Sequence, residues 1–192
     1  MNDAEIVIVS GVPRSGTSMM MRMLKAGGLQ SVIDEQRPSD ADNPRGYFED
    51  VRAKDLERDA SWLEEARGKA VKVISALLRH LPSGHRYRIV FMRRAMAEVV
   101  ASQAAMLARA GKPVDPTSDA RMQVLFERHV ASVAAELERR TDVTVLFVDY
   151  EAAVADPTAA AARVNVFLGG MLDERAMAAA VEPLLRRQHR RS

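Results

Sequence analysis

A short β-branched run near the start of the chain restricts its fold more than any other feature. Residues 6–9 read Ile-Val-Ile-Val, a stretch typical of a strand that is buried on both faces of a parallel sheet. Residues 11–18 follow as Gly-Val-Pro-Arg-Ser-Gly-Thr-Ser, and a helix is predicted over residues 19–24. A strand, a glycine-rich turn and a helix in this order let backbone N–H groups converge on an anion at the helix N-terminus.

The cation of this loop has an unusual position. Its Gly-x4-Gly spacing matches the loop of nucleoside triphosphatases, which continues with lysine and then serine or threonine. Here Thr17 stands where that lysine would be, and the positive charge lies inside the loop at Arg14. The hydroxyls of Thr17 and Ser18 can add hydrogen-bond donors. The sequence therefore predicts an anion cradle whose fixed cation is an arginine.

Composition is that of an ordinary globular protein. The 192 residues are 47% hydrophobic and 28% charged with a net charge of +2, which gives no strong field for nucleic acid or a membrane surface. Of the 28 basic residues 23 are arginine, which suits bidentate recognition of phosphate or sulfate. Cysteine is absent, which excludes disulfides and thiolate chemistry. With no long apolar run and an acidic N-terminus, we expect a cytoplasmic protein without a membrane span.

Strands alternate with helices along the rest of the chain. This order predicts a single domain over residues 1–192, folded as a three-layer α/β/α sandwich with a mainly parallel sheet. A polar loop is expected over residues 34–46 and a helix over residues 50–67, with Leu56, Trp62 and Leu63 as core anchors. Further strands are predicted over residues 71–74, 87–92 and 143–148. Helices are predicted over residues 95–110, over a segment capped by Ser118 or Asp119, and in the stretch up to about residue 180.

The helix after residue 118 carries an apolar stripe at helical spacing. Its members are predicted to face the core. They are Met122, Leu125, Phe126, His129, Val130 and Val133.

Four segments in order resemble the sulfotransferases that use 3'-phosphoadenosine 5'-phosphosulfate. Residues 12–18, Val-Pro-Arg-Ser-Gly-Thr-Ser, resemble the family's 5'-phosphosulfate loop. Residues 91–94, Phe-Met-Arg-Arg, with Ser102 eight positions after Arg94, resemble its 3'-phosphate motif. The Val-Asp-Tyr-Glu of residues 148–151, followed by Asp156-Pro157 and residues 167–169, resembles its conserved C-terminal stretch. Residues 43–49, Asn-Pro-Arg-Gly-Tyr-Phe-Glu, resemble a segment of bacterial members.

The resemblance implies a P-loop-like fold, sulfuryl transfer to a hydroxyl or amine, and no metal requirement. The donor nucleotide has phosphates at both ends of its ribose and so needs two anion sites. The residues implied to bind it are Pro13, Arg14, Ser15, Gly16, Thr17, Ser18, Arg94 and Ser102. Arg93, next to Arg94, is expected to be a solvated surface residue.

Three residues are predicted to act in catalysis. Arg14 would stabilise the bridging and sulfuryl oxygens. Lys72 resembles a lysine that family members place near the transferred group. Glu49 is the first candidate for the base that removes the acceptor's proton. Two histidines near a turn, His80 and His85, are weaker candidates, and His129 is expected to be a satisfied core residue.

Two other functions stay open at this point. A phosphotransferase or ATPase with an altered loop would use Ser18 and Asp149, at the end of a hydrophobic strand, as magnesium ligands. A non-catalytic relative would bind the nucleotide and transfer nothing. The sequence does not identify the acceptor, and a homodimer that completes the site is a further alternative.

Overall fold

The computed structural model describes residues 5–34, 46, 48–113 and 116–181, with the side chains of residues 116–118 left out. The strands are β1 (Glu5–Ser10), β2 (Ala70–Lys72), β3 (Arg86–Arg93) and β4 (Val143–Asp149). The helices are α1 (Thr17–Ala26), α2 (Met96–Arg109), α3 (Pro116–Glu138), α4 (Tyr150–Ala155), α5 (Pro157–Phe167) and α6 (Glu174–Ala179). Three 3₁₀ helices span Val51–Asp55, Ser61–Ala66 and Ser75–His80.

The four strands form one parallel sheet in the order β2-β1-β3-β4. Every residue of the central strand β1 is buried, as its β-branched run predicts. In the register of the sheet Val9 lies opposite Lys72, and Arg93 lies opposite Asp149. All carboxyl ends therefore meet at one edge, where parallel α/β sheets place their ligands.

Helices cover both faces of the sheet, which confirms the predicted α/β sandwich. Val7 and Val9 point into a core formed with α1, α4, α5 and α6. Ile6 and Ile8 point into a second core that includes Leu63 and residues of α3. The alternation along one strand thus supplies two separate apolar layers. Among the described residues, no helix has both the length and the apolar character to cross a bilayer.

The segment over residues 50–67 is helical, as predicted, but not as one continuous helix. Two 3₁₀ helices take its place, although the expected anchors Leu56, Trp62 and Leu63 are all buried. Asp59 stands between them, and its carboxylate accepts hydrogen bonds from both the backbone N–H and the hydroxyl of Ser61. Such local side-chain bonds compete with the helix ladder and start a new turn.

Helix α3 also differs from its prediction. It begins at Pro116, a residue suited to a first helical turn, rather than after a cap at Ser118 or Asp119. The C-terminal part of its stripe is buried at Val133, but Leu125 is 57% exposed. A 23-residue helix is about 34 Å long, whereas a seven-residue strand such as β4 spans about 23 Å. Burial along α3 is accordingly concentrated in its C-terminal part, at Val133 and Leu137.

Candidate active site

The loop between β1 and α1 has a backbone that requires glycine at its start. Gly11 has a φ of 150°, and a Cβ there would lie 2.3 Å from the Ser15 hydroxyl and 2.8 Å from the carbonyl oxygen of Met92. Arg14 has a left-handed φ of 71°, which is uncommon for a residue other than glycine. Strained backbone of this kind is concentrated at ligand-binding sites.

The loop presents donors suited to an anion. The Ser15 hydroxyl is buried and makes no hydrogen bond within the described part of the chain. Helix α1 starts directly after Gly16, whose missing side chain cannot cap the first-turn N–H groups. The Ser15 N–H itself bonds to the Val12 carbonyl and closes the turn. A buried hydroxyl without a partner beside an uncapped helix N-terminus fits a phosphate group.

The predicted second anion site adjoins this loop. Arg94 is buried, and its Nη1 donates a hydrogen bond of 3.1 Å to the carbonyl oxygen of Arg14. The Nε of Arg14 in turn donates to the Ser102 hydroxyl at 3.0 Å. The guanidinium of Arg94 stacks on the ring of Tyr150 at 4.4 Å. Three residues proposed to bind nucleotide are therefore in one connected group at the carboxyl edge.

Two carboxylates hold Arg94 in place. Glu98 accepts a hydrogen bond from Nη2 at 2.9 Å, and Glu151 lies 3.7 Å from Nε. Burial raises the pKa of Glu151, the nearby charges of Asp149 and Glu98 add to the rise, and Arg94 opposes it.

The predicted catalytic residues Glu49 and Lys72 are in contact. The Lys72 ammonium lies 3.1 Å from Oε1 of Glu49 and donates a hydrogen bond of 3.2 Å to the Ser18 hydroxyl. Lys72 is only 8% exposed, so it is not a solvent-facing lysine of the sheet edge. Lys54, which the sequence analysis missed, lies 3.9 Å from the other oxygen of Glu49. The charged pair thus adjoins the first turn of α1, beside the phosphate loop.

The histidines are placed away from this pair or engaged elsewhere. His85 immediately precedes β3 and so lies at the amino edge of the sheet, opposite the site. His80 ends the third 3₁₀ helix, 4.0 Å from Glu57. His129 is hydrogen-bonded to the Ser75 hydroxyl at 2.9 Å, and burial, with a smaller contribution from Arg79, lowers its pKa.

The structure also gives the positions of Pro13, Asp149 and Arg93, which were discussed from the sequence. Pro13 is exposed at the tip of the loop. Asp149 caps α4 by accepting a hydrogen bond from the Ala152 N–H. Arg93 is exposed with its guanidinium 3.7 Å from the centre of the Phe147 ring. In the segment 43–49, residues 43–45 and 47 lie outside the described part of the chain.

A sequence model of the sulfotransferase domain matches residues 4–187. The chain belongs to the sulfotransferase family. The match spans the phosphate loop, Arg94, Ser102 and the Glu49–Lys72 pair. No significant sequence match to a curated protein was found.

Solved structures share the fold of this sulfotransferase. The sulfotransferase domain of the Synechococcus PCC 7002 olefin synthase is 17% identical with a TM-score of 0.55, over 95% of this chain and 86% of that domain. Retinol dehydratase, in complex with androsterone and the inactive cofactor PAP, is 16% identical with a TM-score of 0.54, over 96% and 65% of the two chains. A sulfotransferase from Alicyclobacillus acidocaldarius is 16% identical with a TM-score of 0.52, over 96% and 97%.

Tyr150 is a site residue that the sequence analysis did not single out. Its ring packs against the Arg94 guanidinium and lies close to Gly16. The resemblance over residues 148–151 included this tyrosine, but nothing in the pattern indicated that it would meet the phosphate loop. This contact depends on how β4 and β1 are placed in the sheet.

Replacing Gly16 with alanine is expected to damage the loop of this sulfotransferase. A Cβ at Gly16 would lie 2.5 Å from Cδ2 of Tyr150, and its φ of 103° adds backbone strain of about 1–3 kcal/mol. Thermal unfolding by circular dichroism should show a lower Tm, and titration should show weaker nucleotide binding.

Gly28→Ala is the matched control for this change. Gly28 also has a positive φ, 94°, but a Cβ there meets nothing within 4 Å. The difference in Tm between the two variants therefore isolates the collision with Tyr150. Equal losses of stability and unchanged nucleotide binding would contradict the packing described here.

Proposed function

We propose that this sulfotransferase takes its sulfuryl group from 3'-phosphoadenosine 5'-phosphosulfate and transfers it to a hydroxyl or amine acceptor. The observation that carries the proposal is the contact of Glu49 and Lys72 beside Ser18, in the first turn of the helix that follows the phosphate loop. A base, a cation and an anion cradle are the parts that transfer of a charged group requires.

The two anion sites suit a nucleotide with phosphates at both ends of its ribose. The loop of residues 13–18 would bind the 5'-phosphosulfate, and Arg94 with Ser102 would bind the 3'-phosphate. The bond between Arg94 and the carbonyl of Arg14 supports this assignment, because two phosphate sites for one nucleotide have to lie close together. The complex of retinol dehydratase with PAP, from a structure of the same fold, adds support.

The reaction we propose is an in-line displacement at sulfur. Glu49 takes the proton of the acceptor group as its oxygen or nitrogen attacks the sulfur. The bond between sulfur and the bridging oxygen breaks, and its electron pair remains on the 5'-phosphate of the leaving bisphosphate. Arg14 and Lys72 offset the negative charge that develops on the bridging and sulfuryl oxygens. Proton, sulfuryl group and charge are thus accounted for by this chain's residues and the two substrates.

Calorimetric titration with adenosine 3',5'-bisphosphate and ATP tests the donor. We expect the bisphosphate to bind at least tenfold more tightly than ATP, with no dependence on magnesium. Absence of bisphosphate binding would remove the proposal, and binding of ATP that requires magnesium would favour a phosphotransferase instead. Bisphosphate binding with no sulfuryl transfer across a broad acceptor panel would indicate a non-catalytic relative.

A further inference from the structure

Two exposed apolar side chains flank the Glu49–Lys72 pair. Val51, two residues after Glu49, is 44% exposed, and Ile74, two residues after Lys72, is 41% exposed. In the described part of the chain only six large apolar side chains are exposed. Scattered exposure of such residues is ordinary, but two of these six residues lie next to the candidate catalytic pair in the chain.

The strand geometry places Ile74 on the same side as Lys72. The extended pairing with β1 continues beyond β2, because the Val73 N–H bonds to the Val9 carbonyl and the Ser75 N–H bonds to the Gly11 carbonyl. Side chains alternate along an extended chain. Val73 points into the second core, so Lys72 and Ile74 share the opposite side.

The same alternation applies around Glu49. Asp50 has an extended backbone, with φ −115° and ψ 130°, and is 4% exposed. Its carboxylate is held inside by hydrogen bonds from the backbone and the guanidinium of Arg52. Because Asp50 points inward, its neighbours Glu49 and Val51 point the other way. An apolar side chain therefore accompanies each member of the charged pair.

We propose that the acceptor is an alcohol whose hydroxyl is carried on an apolar body, and that this body packs against Val51 and Ile74. The inference rests on the proposed sulfuryl transfer at Glu49. A sugar or a charged peptide would leave these side chains in contact with polar groups and would gain nothing from them. An aliphatic or alicyclic alcohol covers them while its hydroxyl reaches Glu49.

A homologous series of primary alkanols, from 1-butanol to 1-decanol, is the probe for this proposal. With labelled donor, we expect KM to fall about two- to fourfold for each added methylene until the apolar surface is covered. Val51→Thr and Ile74→Thr should each raise KM for 1-octanol about fourfold and leave the affinity for adenosine 3',5'-bisphosphate unchanged. Val166→Thr is the matched control, because Val166 is 74% exposed on α5, away from the pair.

The outcomes separate this inference from the proposed function. Bisphosphate binding and transfer to alkanols without dependence on chain length would overturn the apolar acceptor and leave the sulfotransferase proposal in place. If the wild-type protein did not bind adenosine 3',5'-bisphosphate, both the apolar acceptor and the proposed sulfuryl transfer would be wrong. A wild-type dimer that Val51→Thr or Ile74→Thr converts to monomer, measured by sedimentation, would assign these side chains to a subunit interface and overturn the proposal.

Discussion

Replacing Glu49 with glutamine is expected to lower kcat for sulfuryl transfer about 10²- to 10⁴-fold. Glutamine keeps the size of the side chain and an oxygen that can accept the Lys72 hydrogen bond, but it cannot take a proton. The Lys72 ammonium lies 3.1 Å from the Glu49 carboxylate and holds it beside the Ser18 hydroxyl. Transfer rates at saturating donor and acceptor measure the effect, and the affinity for adenosine 3',5'-bisphosphate should not change.

Glu138→Gln provides the control for this experiment. Glu138 is exposed at the C-terminal end of α3, at the amino edge of the sheet, so the same chemical change there should leave kcat at the wild-type value. A Glu49→Gln enzyme with normal kcat would show that another group accepts the proton. The role given to Glu49 would then be wrong, while the donor site would be unaffected.

The residues of the proposed site were predicted from local sequence patterns. The β-branched run, the loop around Arg14, and the eight-residue spacing of Arg94 and Ser102 all depend on short stretches of chain. In the structure the Arg14 Nε donates a hydrogen bond of 3.0 Å to the Ser102 hydroxyl.

The sequence did not predict the contacts between segments that are far apart along the chain. Glu49 and Lys72 were both predicted to be catalytic residues. Their contact joins residues that are 23 positions apart and depends on how the chain around residue 49 packs next to β2. There the Asp34 N–H bonds to the Glu49 carbonyl. The apolar stripe predicted which face of α3 is buried, but not how far along the helix the burial extends. The exposure of Leu125 was therefore not predicted.

Replacing Arg94 with methionine is expected to weaken binding of adenosine 3',5'-bisphosphate about 10²-fold. A guanidinium can donate two charge-assisted hydrogen bonds to a phosphate, each worth about 1.5–3 kcal/mol. Adenosine 5'-phosphate lacks the 3'-phosphate, so its affinity should change far less. The ratio of the two dissociation constants, measured by calorimetry, reports the second site and is insensitive to partial loss of folded protein.

Arg93→Met is the matched control, since Arg93 is the adjacent arginine and lies exposed on the Phe147 ring. Arg93→Met should leave the ratio of the two dissociation constants unchanged. Arg94→Lys keeps the charge beside Glu98 and Glu151 and should give an intermediate ratio with better stability. If both nucleotides lost the same affinity in Arg94→Met, the residue would act on the loop alone and not on a 3'-phosphate.

The hydrogen bond from Arg94 to the main-chain carbonyl of Arg14 fixes how far the proposed 3'-phosphate site lies from the phosphate loop. Under the proposed function, the enzyme would select nucleotides by the distance between their two phosphate groups. Adenosine 2',5'-bisphosphate, with the same charge and a different span, should therefore bind more weakly in the same titration.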